Sequence, residues 1–286
     1  MNTIKQLLAT ATEQLAASSD TAQLDSELLL ANVLEKNRTY LVTWPEKSPT
    51  SEQLELFGQL LQRRLQGEPI AYILGQQGFW TLDLKTLPHT LIPRPDTETL
   101  VEWVLDLAAE QQLPEKSRVI DLGTGTGAII LAIASEFPSW ACQGCDLITE
   151  AVELAKENAQ LNNLQQVEFF QSSWFEKVAG KFDLIVSNPP YIDPDDEHLS
   201  QGDVRFEPES ALTSANKGLA DLETIIAQAP DFLNAGGWLL VEHGYDQQQA
   251  VQALFQQRGF SRVATRKDLG GNPRITGGQF LSTNDE

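Results

Sequence analysis

The stretch of sequence that decides the fold lies at residues 121–127, which read Asp121-Leu122-Gly123-Thr124-Gly125-Thr126-Gly127. It follows a short apolar run that predicts a strand at 118–122, and it precedes a helical pattern at 128–136. Glycines in this position let the backbone N–H groups at a helix N-terminus approach a ligand closely. Three glycines alternating with two threonines exceed what a bare turn requires, so the stretch predicts a ligand-binding loop. The spacing Gly123-x-Gly125-x-x-Ala128 also fits a dinucleotide fingerprint, which leaves an NAD enzyme open at this point.

Around this loop, the second part of the chain has the pattern of an α/β domain. From residue 118 onward, short β-branched apolar runs alternate with helical patterns, which is typical of β-α-β units on a mostly parallel sheet. The predicted strands are 118–122, 140–145, 167–171, 182–187, 237–242, 261–265 and 274–281. The clearest predicted helices are 128–136, 150–161, 219–232 and 247–258.

The first part of the chain has a different pattern. Apolar residues recur at helical spacing from Ile4 to Leu15 and from Leu54 to Leu65, and Thr50 with Gln53 has the form of a capping box. Glycines and alternating apolar residues then indicate a hairpin. We predict a helical domain at 1–68, a β-hairpin linker at 69–92 and an α/β domain at 93–286.

Composition and charge exclude several classes of protein. The 286 residues are 41% hydrophobic and contain no apolar run of the ~20 residues that a membrane span needs. The first twenty residues lack the apolar core of a signal peptide, so we expect a cytoplasmic protein without a membrane partner. A net charge of −20 repels phosphate backbones, which disfavours direct nucleic-acid binding.

The cysteines and histidines do not predict a metal site. Cys142 and Cys145 stand three residues apart on a predicted strand, so their side chains point to opposite faces. His89, His198 and His243 lie far apart in the sequence and complete no tetrahedral set with them. We therefore predict no metal.

Two residues beyond the glycine loop fit a nucleoside-containing ligand. Asp146 ends the second predicted strand of the α/β domain, where a carboxylate can accept hydrogen bonds from both hydroxyls of a ribose. Trp174 follows the third strand and offers a large ring at the carboxyl edge of the sheet, suited to packing on adenine. This pair fits NAD and S-adenosylmethionine equally.

The stretch that decides the chemistry is Asn188-Pro189-Pro190-Tyr191, directly after the predicted strand 182–187. The prolines fix the backbone and remove its N–H donors, so their carbonyls are rigid acceptors. A rigid turn alone would explain the prolines but not the asparagine and the tyrosine. Together the four residues, called the NPPY motif, suit a planar –NH₂ group.

An amide or amino-aromatic nitrogen is a poor nucleophile because its lone pair is delocalised. If the Asn188 side-chain oxygen and the Pro189 carbonyl accept its two N–H bonds, they aim the nitrogen at a sulfonium methyl group and stabilise the positive charge that grows on it. Tyr191 would pack against the flat target group. The acidic, strand-poor stretch 192–217 that follows has a length typical of functional loops and predicts a lid that faces the substrate.

These motifs resemble the PrmC (HemK) family of protein-glutamine N5-methyltransferases, and the resemblance covers nearly the whole chain. Besides the glycine loop and the NPPY motif, three further stretches carry it. They are Glu68-Pro69-Ile70-Ala71-Tyr72-Ile73-Leu74-Gly75, Leu91-Ile92-Pro93-Arg94-Pro95-Asp96-Thr97-Glu98 and Gln201-Gly202-Asp203-Val204-Arg205-Phe206-Glu207-Pro208.

The resemblance implies a Rossmann-like class I methyltransferase fold with a seven-stranded, mostly parallel sheet whose last strand is antiparallel. It implies S-adenosyl-L-methionine as cofactor, S-adenosyl-L-homocysteine as product, and contacts to the cofactor at Gly123–Gly127, Asp146, Trp174 and Asn188. It further implies a substrate-recognising helical domain and, held by Asn188–Tyr191, the glutamine of the Gly-Gly-Gln motif of class-I peptide release factors. Ser173 departs from the acidic residue that the family often has there, which puts an adenine amino contact in doubt.

Four alternatives remain open from the sequence. A glutamine methyltransferase of a large-subunit ribosomal protein would share the site chemistry, as would an adenine amino-methyltransferase acting on nucleic acid. The negative net charge and the lack of a basic recognition domain disfavour the latter. An NAD oxidoreductase leaves the NPPY motif unexplained, and a non-catalytic binding module predicts that loss of Asn188 is harmless.

Overall fold

The computed structural model describes residues 2–281, and its internal contacts divide the chain into two compact units. The helical unit contains the chain up to Gln76 together with Ser200–Phe206. The α/β unit contains Gln77–Leu199 and the chain from Glu207 onward. The boundary between the two units after Gln76 falls inside the linker predicted at 69–92. The division of the chain into a helical domain, a linker and an α/β domain stays a prediction.

Among the described residues, the helical unit is built from five α-helices around one apolar core. The capping box predicted at Thr50 is present, since its hydroxyl accepts from the Gln53 backbone N–H and the Gln53 side chain accepts from the Thr50 N–H. Leu15, Leu29 and Leu30 are fully buried in the core. The helices are α1 Ile4–Leu15, α2 Ala22–Leu34, α3 Arg38–Thr43, α4 Ser51–Leu65 and α5 Ile70–Leu74.

A buried arginine ties the segment Ser200–Phe206 into the helical unit. The Arg64 guanidinium donates to Asp25 Oδ2 at 2.7 Å and to Asp203 Oδ1 at 2.9 Å. It also donates to the Glu68 carbonyl at 3.1 Å, so its charge and several of its donors are satisfied inside the unit. A buried arginine needs such partners, because burial without them would leave an uncompensated charge.

The hairpin is shorter than the segment 69–92 in which it is predicted. It is limited to β1 Gln76–Phe79 and β2 Leu82–Lys85, while residues 70–74 form α5, which ends at Gly75 in the left-handed conformation. Helix α6 at Glu98–Ala109 was not predicted, although Leu100, Val104 and Leu107 repeat at helical spacing and are buried.

The sheet of the α/β unit confirms the predicted fold class. Its seven strands run in the order β5-β4-β3-β6-β7-β9-β8, with β9 antiparallel to both of its neighbours and the other pairs parallel. The dinucleotide-binding order has no antiparallel strand inserted at this place, which disfavours the NAD alternative. The strands are β3 Arg118–Leu122, β4 Ala141–Asp146, β5 Glu168–Gln171, β6 Phe182–Ser187, β7 Leu233–Glu242, β8 Ser261–Lys267 and β9 Pro273–Gln279.

Helices cover both faces of this sheet and enclose two apolar clusters, as a mostly parallel sheet requires. Cys142 belongs to one cluster and Cys145 to the other, which confirms that they point to opposite faces. Burial raises the pKa of both thiols to about 12. Within residues 2–281, none of the helices combines the length and the apolar character needed to cross a membrane. Besides α6, the helices are α7 Ala128–Glu136, α8 Thr149–Leu161, α9 Ala215–Gly218, α10 Ala220–Phe232 and α11 Gln248–Gln257.

Candidate active site

The glycine loop connects β3 to α7 in a conformation that side chains disfavour. Gly123, Gly125 and Gly127 have φ angles of +70°, +55° and +83°, in the left-handed region that favours glycine. A Cβ at Gly127 would lie 3.1 Å from the Leu131 side chain and 3.3 Å from Ala155. Gly127 thus lets α7 begin close to α8, and the loop above it presents its backbone to the cleft.

Asp121 supports the loop from below. Its side chain is fully buried, and Oδ2 accepts from the Thr124 hydroxyl at 2.7 Å. Its Oδ1 is buried without a hydrogen-bond partner among the described residues. Burial raises the pKa of this carboxyl to about 7, and the nearby Asp146 charge adds to the rise.

Asp146 is positioned by the backbone of the loops around it. Its Oδ2 accepts from the Gly125 N–H and its Oδ1 accepts from the Ile148 N–H, both at 2.9 Å. Burial raises the pKa of this carboxyl despite these bonds, which lower it. Because a carboxylate oxygen has more than one lone pair, both oxygens retain acceptor capacity for the predicted ribose hydroxyls.

Trp174 packs its ring over the glycine loop. A Cβ added to Gly123 would lie 3.2 Å from this ring, so a side chain there would crowd it. Trp174 itself has a positive φ of 44°, and its carbonyl accepts from the Ser172 hydroxyl at 3.0 Å. Ser173 also faces the cleft, and it is half-buried.

Asn188 begins a chain of hydrogen bonds that reaches Tyr191 through two residues outside the NPPY motif. Its Nδ2 donates to Thr97 Oγ1 at 3.2 Å, and the Thr97 hydroxyl donates to Glu242 Oε2 at 2.6 Å. The Tyr191 hydroxyl donates to Glu242 Oε1 at 3.0 Å. The amide oxygen of Asn188 accepts no hydrogen bond from the described residues and is not fully buried. Because Asn188 lines the cleft, this oxygen is open to a ligand there.

One cleft at the carboxyl edge of the sheet brings most of the predicted site residues together. Gly127, Pro189 and Tyr191 do not line it: Gly127 packs against α8, Pro189 is buried, and the Tyr191 ring packs against an apolar cluster. The predicted residues that line it are Gly123, Thr124, Gly125, Thr126, Asp146, Trp174, Asn188 and Pro190.

Sequence reasoning missed several residues of this site. Arg94 and Thr97 line the cleft, and the Arg94 guanidinium pairs with the buried Glu207 carboxylate, which also accepts from the Ile92 N–H. Arg94 and Thr97 both lie in the stretch 91–98, to which the sequence analysis assigned no role. Glu242 ends the strand β7, and the signal that could have found it is a carboxylate closing an apolar run at the sheet edge that carries the site.

The loop 192–217 contributes to the cleft through one part only. Ser210 and Ala211 line it, whereas Ser200–Phe206 belongs to the helical unit. The loop contains three short 3₁₀ turns and is closed by a bridge between Ile192 and Thr213. Its role as a lid stays a prediction.

The sheet order and the glycine-loop cleft define the α/β unit as a class I methyltransferase. Two family models agree with this assignment: residues 6–75 match the PrmC N-terminal domain and residues 102–204 match the methyltransferase small domain.

Similar curated proteins narrow the class. The release factor glutamine methyltransferase of Vibrio cholerae is 54% identical over 284 residues, 97% of each chain, and that of Aliivibrio fischeri is 52% identical over 268 residues, 93% of each chain. The protein of the same name from Pseudomonas aeruginosa is 53% identical over 92% of this chain and 94% of its own. The chain belongs to the family of release factor glutamine methyltransferases.

Solved structures share the fold at low sequence identity. A methyltransferase from Pyrococcus furiosus aligns with a TM-score of 0.53 and 19% identity, over 79% of this chain and all of its own. The N-terminal domain of human METTL16 in complex with SAH aligns with a TM-score of 0.53 and 18% identity, over 71% and 77%.

Proposed function

We propose that the protein methylates the side-chain amide nitrogen, N5, of the glutamine in the Gly-Gly-Gln motif of class-I peptide release factors, using S-adenosyl-L-methionine. Membership in the family supports the reaction class and the substrate class. The observation that carries the site assignment is the Asn188 amide oxygen, which opens into the cleft while its nitrogen is held by Thr97.

The residues of the cleft fit S-adenosylmethionine. The three glycines have left-handed φ angles that disfavour a side chain, and the ring of Trp174 lies close to Gly123, so the loop backbone forms one wall of the cleft. Asp146 would accept from the ribose hydroxyls, and Trp174 would pack on the adenine. Asp121 would favour the positive groups of the cofactor electrostatically. The cofactor supplies an electrophilic methyl group on a sulfonium.

The protein's contribution to the reaction is to hold the amide nitrogen. Asn188 Oδ1 is an acceptor on a residue that lines the cleft and would bind one N–H bond of the target amide. Pro189 is buried and does not line the cleft, so the second bond, to the Pro189 carbonyl, requires the substrate to reach the backbone between Asn188 and Pro190. Positive charge that develops on the nitrogen during transfer strengthens both bonds, which lowers the barrier. The extra proton is acidic once the nitrogen is alkylated and can leave to water.

The proposal also assigns roles to the other parts of the molecule. The helical domain at 1–68 would recognise the release factor, the linker at 69–92 would connect it, and the domain at 93–286 would catalyse the transfer. Pro190 would line the glutamine site, and Tyr191 would hold it in shape from behind. We place the activity in the cytoplasm with release factors as partners, without a metal and without direct nucleic-acid binding.

The proposal is tested by following labelled methyl from S-adenosylmethionine to four substrates in parallel: purified release factor, its Gly-Gly-Gln variant with the glutamine replaced, the large-subunit ribosomal protein, and DNA. We expect label on the wild-type release factor alone. Label on the ribosomal protein or on DNA would reassign the substrate. No label on any of them, with the cofactor bound, would favour a binding module.

The Asn188→Ala variant tests the site. Removing one acceptor that acts in the transition state should lower kcat by at least ~10²-fold, while cofactor affinity and the thermal midpoint stay close to wild type. Single-turnover transfer and calorimetric cofactor binding measure the two quantities. Unchanged turnover in the folded variant would refute the role of Asn188.

A further inference from the structure

We infer that Thr97 and Glu242 form a positioning relay that fixes which end of the Asn188 amide faces the substrate. The inference rests on the proposed function and deepens it, since it concerns residues outside the NPPY motif. Thr97 precedes α6, Glu242 ends β7 and Asn188 follows β6, so the tertiary structure joins three separate parts of the chain.

The direction of the relay follows from hydrogen-bond chemistry. Both hydroxyls beside Glu242 donate to it, Tyr191 to Oε1 at 3.0 Å and Thr97 to Oε2 at 2.6 Å, so the single hydroxyl proton of Thr97 points to Glu242. The Thr97 oxygen then has only lone pairs to offer to Asn188. The atom of Asn188 that faces it must therefore be the donor Nδ2, and Oδ1 must face the cleft.

The opposite amide orientation would fail in catalysis. An NH₂ group aimed into the cleft would face the N–H bonds of the target amide, donor against donor. Asparagine side chains can rotate by half a turn with little change in shape, so shape alone does not select the correct orientation. Glu242 supplies the selection, because it commits the Thr97 proton.

The same carboxylate holds the far end of the NPPY motif. The Tyr191 hydroxyl donates to Glu242 Oε1 at 3.0 Å, and the Tyr191 carbonyl accepts from Gln247 Nε2 at 2.9 Å. Gly218 packs so closely that a Cβ there would lie 2.0 Å from the Tyr191 carbonyl oxygen. Both ends of the motif are therefore fixed with respect to β7.

The relay is buried and its charge is surrounded by defined groups. Thr97 is 4% and Glu242 1% exposed. Burial raises the pKa of Glu242, whereas the Thr97 and Tyr191 hydroxyls and the positive Arg274 on β9 lower it, and Asp96 raises it. Arg274 in turn pairs with Asp268 at 3.0 Å and with Asp96 at 3.4 Å. Glu242 does not line the cleft, so it is a positioning residue rather than a catalytic one.

Thr97 offers a matched pair of variants. Thr97→Val keeps the branched shape but removes the hydroxyl, and Thr97→Ser keeps the hydroxyl. The Thr97 side chain makes no capping bond to α6, so neither variant removes a helix cap. We expect Thr97→Val to lower kcat about 10- to 100-fold, with the KM for release factor and the cofactor Kd within about threefold of wild type. Thr97→Ser should stay within about threefold in all three quantities.

A double-mutant cycle separates this role from a general structural effect. If Thr97 acts through Asn188, Thr97→Val should have almost no further effect on the residual turnover of Asn188→Ala. A structural defect would multiply the two losses. Independent effects in the cycle, or equal losses in the Val and Ser variants, would overturn the inference.

An NMR measurement tests the relay without using turnover, so failure of the proposed function can be told apart from failure of the inference. The Asn188 side-chain ¹H–¹⁵N pair is assigned as the signal lost in Asn188→Ala. It should shift in Thr97→Val and stay close to its wild-type position in Thr97→Ser. An unmoved signal in Thr97→Val would refute the relay even if the enzyme methylates release factor. A shifted signal would support it even if the substrate is another protein.

Discussion

At the scale of single residues, the site keeps a carboxylate where the fold would be more stable without its charge. Asp121 is fully buried, one of its oxygens accepts from Thr124, and the other has no partner among the described residues. Burial raises its pKa from 3.8 to about 7. A buried charge of this kind is typical of functional sites, which retain groups that destabilise the folded state.

The pH dependence of stability measures this cost. The folded state binds the Asp121 proton more tightly than the unfolded state, so this group's contribution to stability falls as pH rises from about 4 to about 7. Asp121→Asn cannot ionise. Its free energy of unfolding relative to wild type should therefore increase between pH 4.5 and pH 8, by about 3 kcal/mol. Urea unfolding at both pH values measures it, and a difference that does not change with pH would contradict the raised pKa.

At the scale of elements, one asparagine joins three parts of the α/β unit. Asn158 on α8 is fully buried, and its Oδ1 accepts from the Lys85 N–H of β2 at 2.7 Å. Its Nδ2 donates to the Lys85 carbonyl at 3.1 Å and to the Thr126 carbonyl at 2.9 Å. The Asn158 side chain thus fixes both the hairpin and the glycine loop to α8, because it forms hydrogen bonds with the backbone of each.

Removing that side chain should destabilise the unit. Asn158→Ala leaves the Lys85 and Thr126 backbone groups without their buried partner, and we expect the free energy of unfolding to fall by about 2–4 kcal/mol. Gln160→Ala, at an exposed position of the same helix, is the matched control and should stay within about 0.5 kcal/mol of wild type. Chemical denaturation compares the two variants. Equal losses would show that Asn158 makes no special contribution.

At the scale of the whole molecule, the dominant property is the net charge of −20. Like charges repel one another in the compact state, and salt screens this repulsion over a Debye length of about 8–10 Å at 0.1–0.15 M. The ion pairs that the structure contains between exposed side chains, such as Lys85 with Glu157, contribute little by comparison.

Salt should therefore stabilise the protein. Between 10 and 200 mM NaCl at pH 8, we expect the thermal midpoint to rise by roughly 2–4 °C, which corresponds to about 1 kcal/mol for a chain of this size. At pH 5, where carboxylates begin to be protonated and the net charge is smaller, the rise should shrink. Differential scanning calorimetry measures both increments. A midpoint that falls with salt at pH 8 would show that attractive pairs outweigh the repulsion.

Helices and strands that have a regular apolar pattern within their own residues could be predicted from the sequence. The strand at Arg118–Leu122 and the helix at Ala128–Glu136 have the predicted bounds, because their apolar patterns are short, regular and flanked by glycines. The helix α5 at Ile70–Leu74 was missed because five residues barely exceed one turn, which is too short for a periodic signal.

The candidate site divides in the same way between sequence and tertiary structure. The sequence by itself determined the glycine loop, Asp146, Trp174 and the NPPY motif, because each follows a strand and the carboxyl ends of parallel strands meet at one edge of a sheet. Only the tertiary structure decided that Thr97 and Glu242 orient Asn188. Thr97 lies 91 positions before Asn188 and 145 positions before Glu242 in the chain. Hydrogen bonds act over about 3 Å, and that proximity arises only when the folded sheet brings the three segments together.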